Sequence, residues 1–390
     1  MAEALTLNDM LKQIAKEQGK GVVTVGVENL TAFGTLTLGS PGLDFCWYNS
    51  FPEKKIIEIT GPEGSGKTTL AYIACGAFIK KELKRNAENP RKILYVDLEC
   101  TVDPAWAKLA GYDMNESPVQ TVCYRPEART AEQILDNVLD FIKTGEIGMV
   151  VIDSLNMLVG QLTYDESLEK KSMGGIAGVL SDFVKKVTSL LMKYNCTLIG
   201  IQQLRDGLNP YGPAEVTAGG KQWKYGCSLR LKVKKGKFLD EDGNELSTNA
   251  ENPAGYIMEV AVLKTKVCRS DRRLGRTCIS YSKGVDILQD TIDVATYFKL
   301  IESPALGTFV ITDPETGIAM LDEEGNPVKI RGKKNLKPYF EQHLDIWHKL
   351  YDKVYEKLSR KDDPNIVSFE KMLGINVAEA FGVDFTKEEQ

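Results

Sequence analysis

Residues 55–81 read KIIEITGPEGSGKTTLAYIACGAFIKK. An apolar, β-branched run leads into a glycine-rich turn, and a helix-forming run follows it. Gly61-Pro62-Glu63-Gly64-Ser65-Gly66-Lys67-Thr68 matches G-x-x-x-x-G-K-[ST] in full, with Thr69 next. Such a loop between strand and helix turns its backbone amides toward a phosphate at a helix N-terminus. The expected ligand is a nucleoside triphosphate, ATP, with Lys67 on the β- and γ-phosphates and Thr68 on Mg2+.

Outward from this loop the same rhythm repeats. Strands are predicted at 56–60, 92–98, 148–152 and 196–201, and helices at 70–81, 131–144 and 174–193. This is an α/β pattern with a largely parallel central sheet between helical layers. After Gly219 the pattern changes, and strands at 228–234, 256–263 and 277–281 are expected to add antiparallel pairs. From about residue 300, short strands separated by polar turns at 313–317 and 322–327 precede a helix at 338–358. Its apolar stripe is Phe340, Leu344, Trp347, Tyr351, Val354 and Leu358. A short amphipathic helix is expected at 6–18, capped by Thr6 or Asn8. The expected division is an N-terminal helix at 1–30, a candidate oligomerisation segment, then a core at 31–299 and a small α+β domain at 300–390.

Composition bounds the function. The 390 residues carry 49 Lys and Arg against 54 Asp and Glu, a net charge of -5, which disfavours a general polyanion binder but allows a local basic surface. Eight cysteines without a C-x-x-C pair read as reduced thiols. Two histidines, His343 and His348, argue against histidine catalysis or a His-rich metal site. No apolar run spans a bilayer, and no basic-apolar leader opens the chain, so a cytoplasmic location is expected.

Three further segments complete the candidate site. Met149-Val150-Val151-Ile152-Asp153 is an apolar strand ending in an acid, placed to hold Mg2+ with Thr68. Leu94-Tyr95-Val96-Asp97-Leu98-Glu99 ends in a carboxylate suited to orient or deprotonate the attacking water. Glu99 is taken as that base, with Asp97 expected to point the other way by strand alternation. Leu198-Ile199-Gly200-Ile201-Gln202-Gln203 ends an apolar strand in two amides, one of which could sense the γ-phosphate.

Together these elements resemble the bacterial RecA recombinase family over residues 30 to 300. The resemblance implies a RecA-like P-loop ATPase core, with Glu99 as the catalytic glutamate and Gln203 as the sensor. It implies that Asp103 contacts adenine and Trp106 stacks on it. Lys264 and Lys266, on one face of a strand, would reach the ATP of a neighbouring subunit. DNA-facing loops are implied at about 161–173 and 205–220. Met173, Gly174, Lys185, Arg205, Tyr211, Gly219, Gly220 and Lys221 are the DNA-binding candidates, with Lys224 beside them.

The implied activity is an ATPase and recombinase that forms filaments on single-stranded DNA and exchanges strands with homologous duplex DNA. Single-strand-binding or mediator proteins are further expected partners. The run Tyr48-Asn49-Ser50-Phe51-Pro52-Glu53-Lys54-Lys55 replaces the family's glycine-rich run, and Gly178 stands where arginine is frequent. These departures suggest a divergent member, with a bacteriophage source as one expectation. A hexameric helicase motor and a non-exchanging filament or mediator protein stay open as alternatives. A P-loop kinase for a small substrate is argued against by Gln203, the glycine-rich loop after it and the Lys264/Lys266 pair.

Overall fold

Ile56 and Ile57 begin one strand and point to opposite faces of it, and both are buried. This alternation builds a sheet covered on both sides. The computed structural model describes residues 6–18, 23, 34–115, 119–165, 175–206, 215–216, 220–247, 249–313, 316–322, 324–359, 374–383 and 385. The chain divides into two units, 1–34 and 35–390, each described by itself.

In the first unit, α1 (Leu7–Gln18) is capped by Thr6, whose Oγ1 donates to Asp9 Oδ2 at 2.5 Å and accepts from Asp9 N at 3.3 Å.

In the second unit, nine strands form the main sheet. In chain order they are β1 (Ile56–Gly61), β2 (Lys92–Asp97), β3 (Thr121–Tyr124), β4 (Ile147–Asp153), β5 (Thr197–Gln203), β6 (Leu229–Leu239), β7 (Gly255–Thr265), β8 (Leu274–Ser280) and β9 (Gly284–Val285). Their spatial order is β9-β8-β7-β6-β1-β5-β4-β2-β3. Strands β6, β1, β5, β4, β2 and β3 pair in parallel, and β7 to β9 add antiparallel pairs.

Ile57, Ile59, Tyr95 and Val151 pack against α2 (Lys67–Arg85). Ile56, Leu94, Val150, Ile152 and Leu198 pack on the other face, against α4 (Ala131–Lys143) and α5 (Gly175–Lys193). Thr130 and Gln133 close a capping box at the start of α4. Burial on both faces explains why these strands read as continuous apolar runs. Between them in sequence, α3 (Pro104–Leu109) follows β2, and α6 (Gly220–Gly226) follows the segment after β5.

The C-terminal part holds three antiparallel strands, β10 (Ile301–Ala305), β11 (Thr308–Ile311) and β12 (Lys329–Arg331), and the helices α8 (Leu336–Gln342) and α9 (Leu344–Leu358). Phe309, Phe340, Leu350 and Val354 share one apolar cluster with Phe45 and with Ile292 and Ala295 of α7 (Ile287–Tyr297). Buried Asp44 ties this part to the core, accepting from Tyr355 Oη at 2.7 Å and from Trp47 Nε1 at 2.9 Å. A last helix, α10 (Val377–Phe381), packs on Ala261 and Leu274, and Lys232 Nζ donates to the Phe381 carbonyl at 2.6 Å.

Several sequence expectations are corrected. The single helix at 338–358 is two helices, broken at His343, where φ is -128° and ψ is 62°. The break resets the helical phase, so Ile346, Leu350, Val354 and Leu358 are buried while Leu344 is 51% exposed. The helix expected at 70–81 starts at Lys67 and runs to Arg85, which puts Lys67 and Thr68 in its first turn. The strand expected at 92–98 stops at Asp97, so Glu99 lies on the following loop. In the first of the two segments expected to face DNA, Gln161–Asp165 is helical. In the second, Arg205–Asp206 pairs with Glu215–Val216, and Gly220 and Lys221 already belong to α6.

Candidate functional site

The parallel strands β1, β4 and β5 end at one side of the sheet, where a cavity of about 440 Å³ opens. In open α/β sheets ligands bind beyond these carboxyl ends. Glu63, Gly64, Gly66, Lys67, Thr68 and Thr69 form its floor. Gly64 and Gly66 have φ of 67° and 97°, the left-handed region that glycine tolerates, and this turns the loop's amides inward. A Cβ on Gly66 would meet Met258 Cε at 2.8 Å. Gly61 and Pro62 open the loop, and the Pro62 carbonyl accepts from Lys67 Nζ at 2.6 Å. Burial pushes Lys67 below the usual lysine range, against the opposing pull of Asp153, Glu99 and Glu63. Buried Ser65 Oγ has no hydrogen-bond partner. Such a loop fits a ligand rich in acceptor oxygens.

Asp153 ends β4 beside Thr68, whose Oγ1 donates to Asp153 Oδ2 at 2.8 Å. Tyr95 Oη donates to the same oxygen at 2.9 Å. Burial raises the Asp153 carboxyl to about 6, against the lowering effect of these two bonds. A buried carboxylate next to a hydroxyl is a hard oxygen pair of the kind Mg2+ takes.

Glu99 faces the same cavity. Its Oε1 accepts from Ser154 Oγ at 2.5 Å and from Gln203 Nε2 at 3.2 Å. Asp97 does point elsewhere, and the reason is not strand alternation, since residues two apart share a face. The strand ends at Asp97, whose Oδ2 accepts from Arg125 Nε at 2.7 Å, and the loop beyond turns through Cys100 at φ 54°. The two glutamines part company. Gln202 is buried and donates to Glu58 Oε1 at 3.2 Å, while Gln203 faces Glu99. Asn156 holds Gln203 by its backbone, accepting from its N–H at 2.7 Å and donating to its carbonyl at 3.2 Å.

The other end of the cavity is aromatic. Trp106 Nε1 donates to Thr69 Oγ1 at 3.0 Å. The Trp106 ring lies 6.3 Å from Tyr281, which lies 5.8 Å from Tyr256. Lys235 Nζ sits 4.7 Å from the Tyr256 ring centroid. Asp103 lines this end and also caps α3, its Oδ1 accepting from Ala105 N at 2.9 Å and Trp106 N at 3.2 Å. The sequence reading missed Ser154, Asn156, Tyr95, Tyr256, Tyr281 and Lys235. Ser154 and Asn156 directly follow the strand acid, which is the signal that could have found them. Tyr256 on β7 and Tyr281 just past β8 come from far along the chain and carry no local signal.

Lys264 and Lys266 stand away from this cavity. Lys264 Nζ donates to the Lys224 carbonyl at 2.8 Å and Lys266 Nζ to the Tyr225 carbonyl at 2.7 Å, at the end of α6. Lys185 lies exposed on α5 in an ion pair with Asp182 at 2.9 Å, and Lys221 is exposed on α6. Met173, Gly174, Tyr211 and Gly219, and the Arg205 side chain, lie outside the described residues. No helix among the described residues is long and apolar enough to cross a membrane.

Comparison with known proteins agrees with this geometry. The family model described as RecA N-terminal domain matches residues 5–286. Protein RecA of Chlorobium chlorochromatii (strain CaD3) is 33% identical over 306 residues, 77% of this chain and 80% of the relative. Protein RecA of Clostridioides difficile (strain 630) is 28% identical over 351 residues, 89% of this chain and 90% of the relative. Protein RecA of Phytoplasma mali (strain AT) is 27% identical over 354 residues, 90% of this chain and 94% of the relative. The family match spans most of the chain, and a relative a third identical covers more than three quarters of it, so the chain belongs to the RecA family.

Proposed function

We propose that this chain is a DNA-dependent ATPase and homologous recombinase that forms ATP-bound filaments on single-stranded DNA and promotes strand exchange. The observation that carries the reading is the Gln203–Glu99 hydrogen bond. It joins the cavity that takes the nucleotide to β5, whose next residues open the second DNA-facing loop. A change at either place is felt at the other through one side chain.

In this reading Lys67 leaves the Pro62 carbonyl for the β- and γ-phosphates, and the amides of residues 64–69 cradle them. Thr68 and Asp153 would hold Mg2+. When bound, Mg2+ neutralises charge that develops on the phosphate oxygens. Glu99 accepts a proton from the attacking water or aligns it, with Ser154 and Gln203 fixing its carboxylate. Trp106 and Tyr281 stack on adenine, and Asp103 contacts its edge. Lys264 and Lys266 act on the ATP of the next subunit. Hydrolysis then loosens the interface and releases DNA.

Arg205, Tyr211, Gly219, Gly220 and Lys221 of the second loop, and Met173, Gly174 and Lys185 near the first, hold single-stranded DNA. The grip is mainly on the backbone, so it is sequence-tolerant and salt-sensitive. The proposed units are the N-terminal helix at 1–30, the ATPase core at 31–299 and the C-terminal domain at 300–390.

The test is ATP hydrolysis with and without single-stranded DNA, with and without Mg2+, followed by strand exchange. Stimulation by DNA and exchange of homologous strands are expected. Hydrolysis that ignores DNA would overturn the reading, and closed rings that unwind duplex from a tail would favour the helicase alternative.

A further inference from the structure

The strand that ends in the phosphate loop begins, at its other end, in two lysines. Lys54 and Lys55 precede Ile56, and both are half-buried. The Ile56 carbonyl accepts from Ser228 N at 2.8 Å, and the Ser228 carbonyl accepts from Lys266 N at 2.8 Å. These two bonds set the start of β1 near the end of β7, with the start of β6 between them, at the end of the strands away from the phosphate loop. Four lysines therefore gather there: Lys54, Lys55, Lys264 and Lys266. Lys264 and Lys266 are aimed by the carbonyls at the end of α6, and Tyr225, 54% exposed, lies beside Lys264 with its ring centroid 5.9 Å from Nζ. The ammoniums feel each other. Lys55 is pushed below the usual lysine range by burial first, and then by Lys266 and Lys54.

The backbone of Lys54 is an independent observation. Its φ is 59°, in the left-handed region, and its N–H is held there by Thr197 Oγ1 at 3.0 Å. Glycine takes this conformation freely, whereas a lysine meets a steric penalty. The side chain is kept at a position whose backbone favours having none.

This face is out of reach of the chain's own nucleotide. Five residues, Ile56 to Thr60, lie between Lys55 and Gly61. Six steps at about 3.3 Å per residue come to roughly 20 Å, well beyond the span of a lysine side chain. Phosphates that meet these ammoniums come from another molecule. The cavity rim offers the complement: Glu63, Glu99 and Asp103 line it, and a triphosphate adds further negative charge.

We infer that Lys54 and Lys55 join Lys264 and Lys266 in a four-ammonium face that seats the nucleotide-bearing rim of the next copy of this chain. The inference rests on the reading of Lys264 and Lys266 given above and extends it to two residues where this chain departs from the family pattern. Lys54 and Lys55 draw in and position the neighbour, so nucleotide-dependent assembly depends on their charge.

The experiment compares Lys54→Gly, Lys54→Gly/Lys55→Ala and Lys264→Ala/Lys266→Ala by sedimentation in ATP at rising salt, with thermal unfolding alongside. Lys54→Gly is expected to hold or raise Tm while raising the ATP concentration for half-assembly about fivefold, the scale of one exposed charge contact. A mixture of Lys54→Gly/Lys55→Ala with Lys67→Ala is expected to regain ATP turnover. The Lys67→Ala copy supplies an intact lysine face to its neighbour's intact nucleotide site. Normal assembly of the Lys54 and Lys55 variants beside failed assembly of Lys264→Ala/Lys266→Ala overturns the inference and leaves the earlier reading standing. Normal assembly of all three overturns both. A mixture with no gain in turnover also overturns the inference, because it shows the lysines acting only within their own chain.

Discussion

Gln203 Nε2 donates to Glu99 Oε1 at 3.2 Å, so a residue at the end of β5 and one on the loop after β2 meet across the end of β4. Glu99 is thereby oriented from two sides, by Gln203 and by Ser154. Glu99→Gln removes the proposed proton acceptor and keeps the shape. It is expected to lower kcat by about 10²- to 10⁴-fold, the usual worth of a general base, with ATP affinity little changed. Steady-state hydrolysis and nucleotide binding on the same preparation check this. A comparable loss of ATP binding would mean that Glu99 holds the ligand instead.

Asn156 grips both backbone groups of Gln203. Asn156→Ala leaves them without that partner, at a cost of about 1 kcal/mol in stability. The DNA-stimulated rate is expected to fall more than the basal rate, because the amide that reaches Glu99 is no longer fixed. Hydrolysis measured with and without single-stranded DNA gives the ratio. An unchanged ratio counts against Gln203 as the link.

Trp106 offers its ring to the cavity and its indole N–H to Thr69. Trp106→Ala is expected to raise KM for ATP by roughly 5- to 150-fold, since stacking contributes about 1–3 kcal/mol per base. Trp106→Tyr keeps a flat π-face and should be far milder. Equal effects of the two substitutions would assign Trp106 to packing alone.

Asp290 is buried between Ser40 and Thr277, and burial raises its carboxyl to about 8, against hydrogen bonds from Ser40, Thr277 and the Cys278 amide. Its unfolded value is 3.8. Between these values the folded chain binds more protons than the unfolded one, so stability declines as pH rises from about 4 to 8. Asp290→Asn cannot ionise and should lose this part of the slope. The variant is expected to gain Tm over the unaltered chain as pH rises from 5 to 9. Melting curves at both pH values decide it, and a constant difference would show that Asp290 does not titrate in this window.

Gly200 lies in β5 under Trp223. A Cβ there would meet Trp223 Cζ2 at 2.5 Å and Leu155 Cδ1 at 2.8 Å. Gly200→Ala is expected to cost about 1–3 kcal/mol through overpacking, read by denaturant unfolding. Unchanged stability would mean that Trp223 moves aside freely.

The sequence by itself determined the phosphate loop, the α/β alternation around it, and the placing of Asp153 and Gln203 at the ends of apolar strands, with Glu99 just beyond a third. These are local signals. A loop of fixed glycine spacing needs particular backbone angles, and a doubly covered strand needs an unbroken apolar run that must end in something polar. What the sequence could not give is whatever depends on where an element ends or on partners far along the chain. The strand stops at Asp97, and this alone sends Glu99 and Asp97 to different neighbours. The helix breaks at His343, and this alone decides which face of α9 is buried. Tyr256 and Tyr281 reach the aromatic end of the cavity, and Lys266 lies beside the start of β1, only because antiparallel strands are added to the parallel sheet in one particular order. That order is fixed by packing both sheet faces at once, a condition that no window of sequence contains.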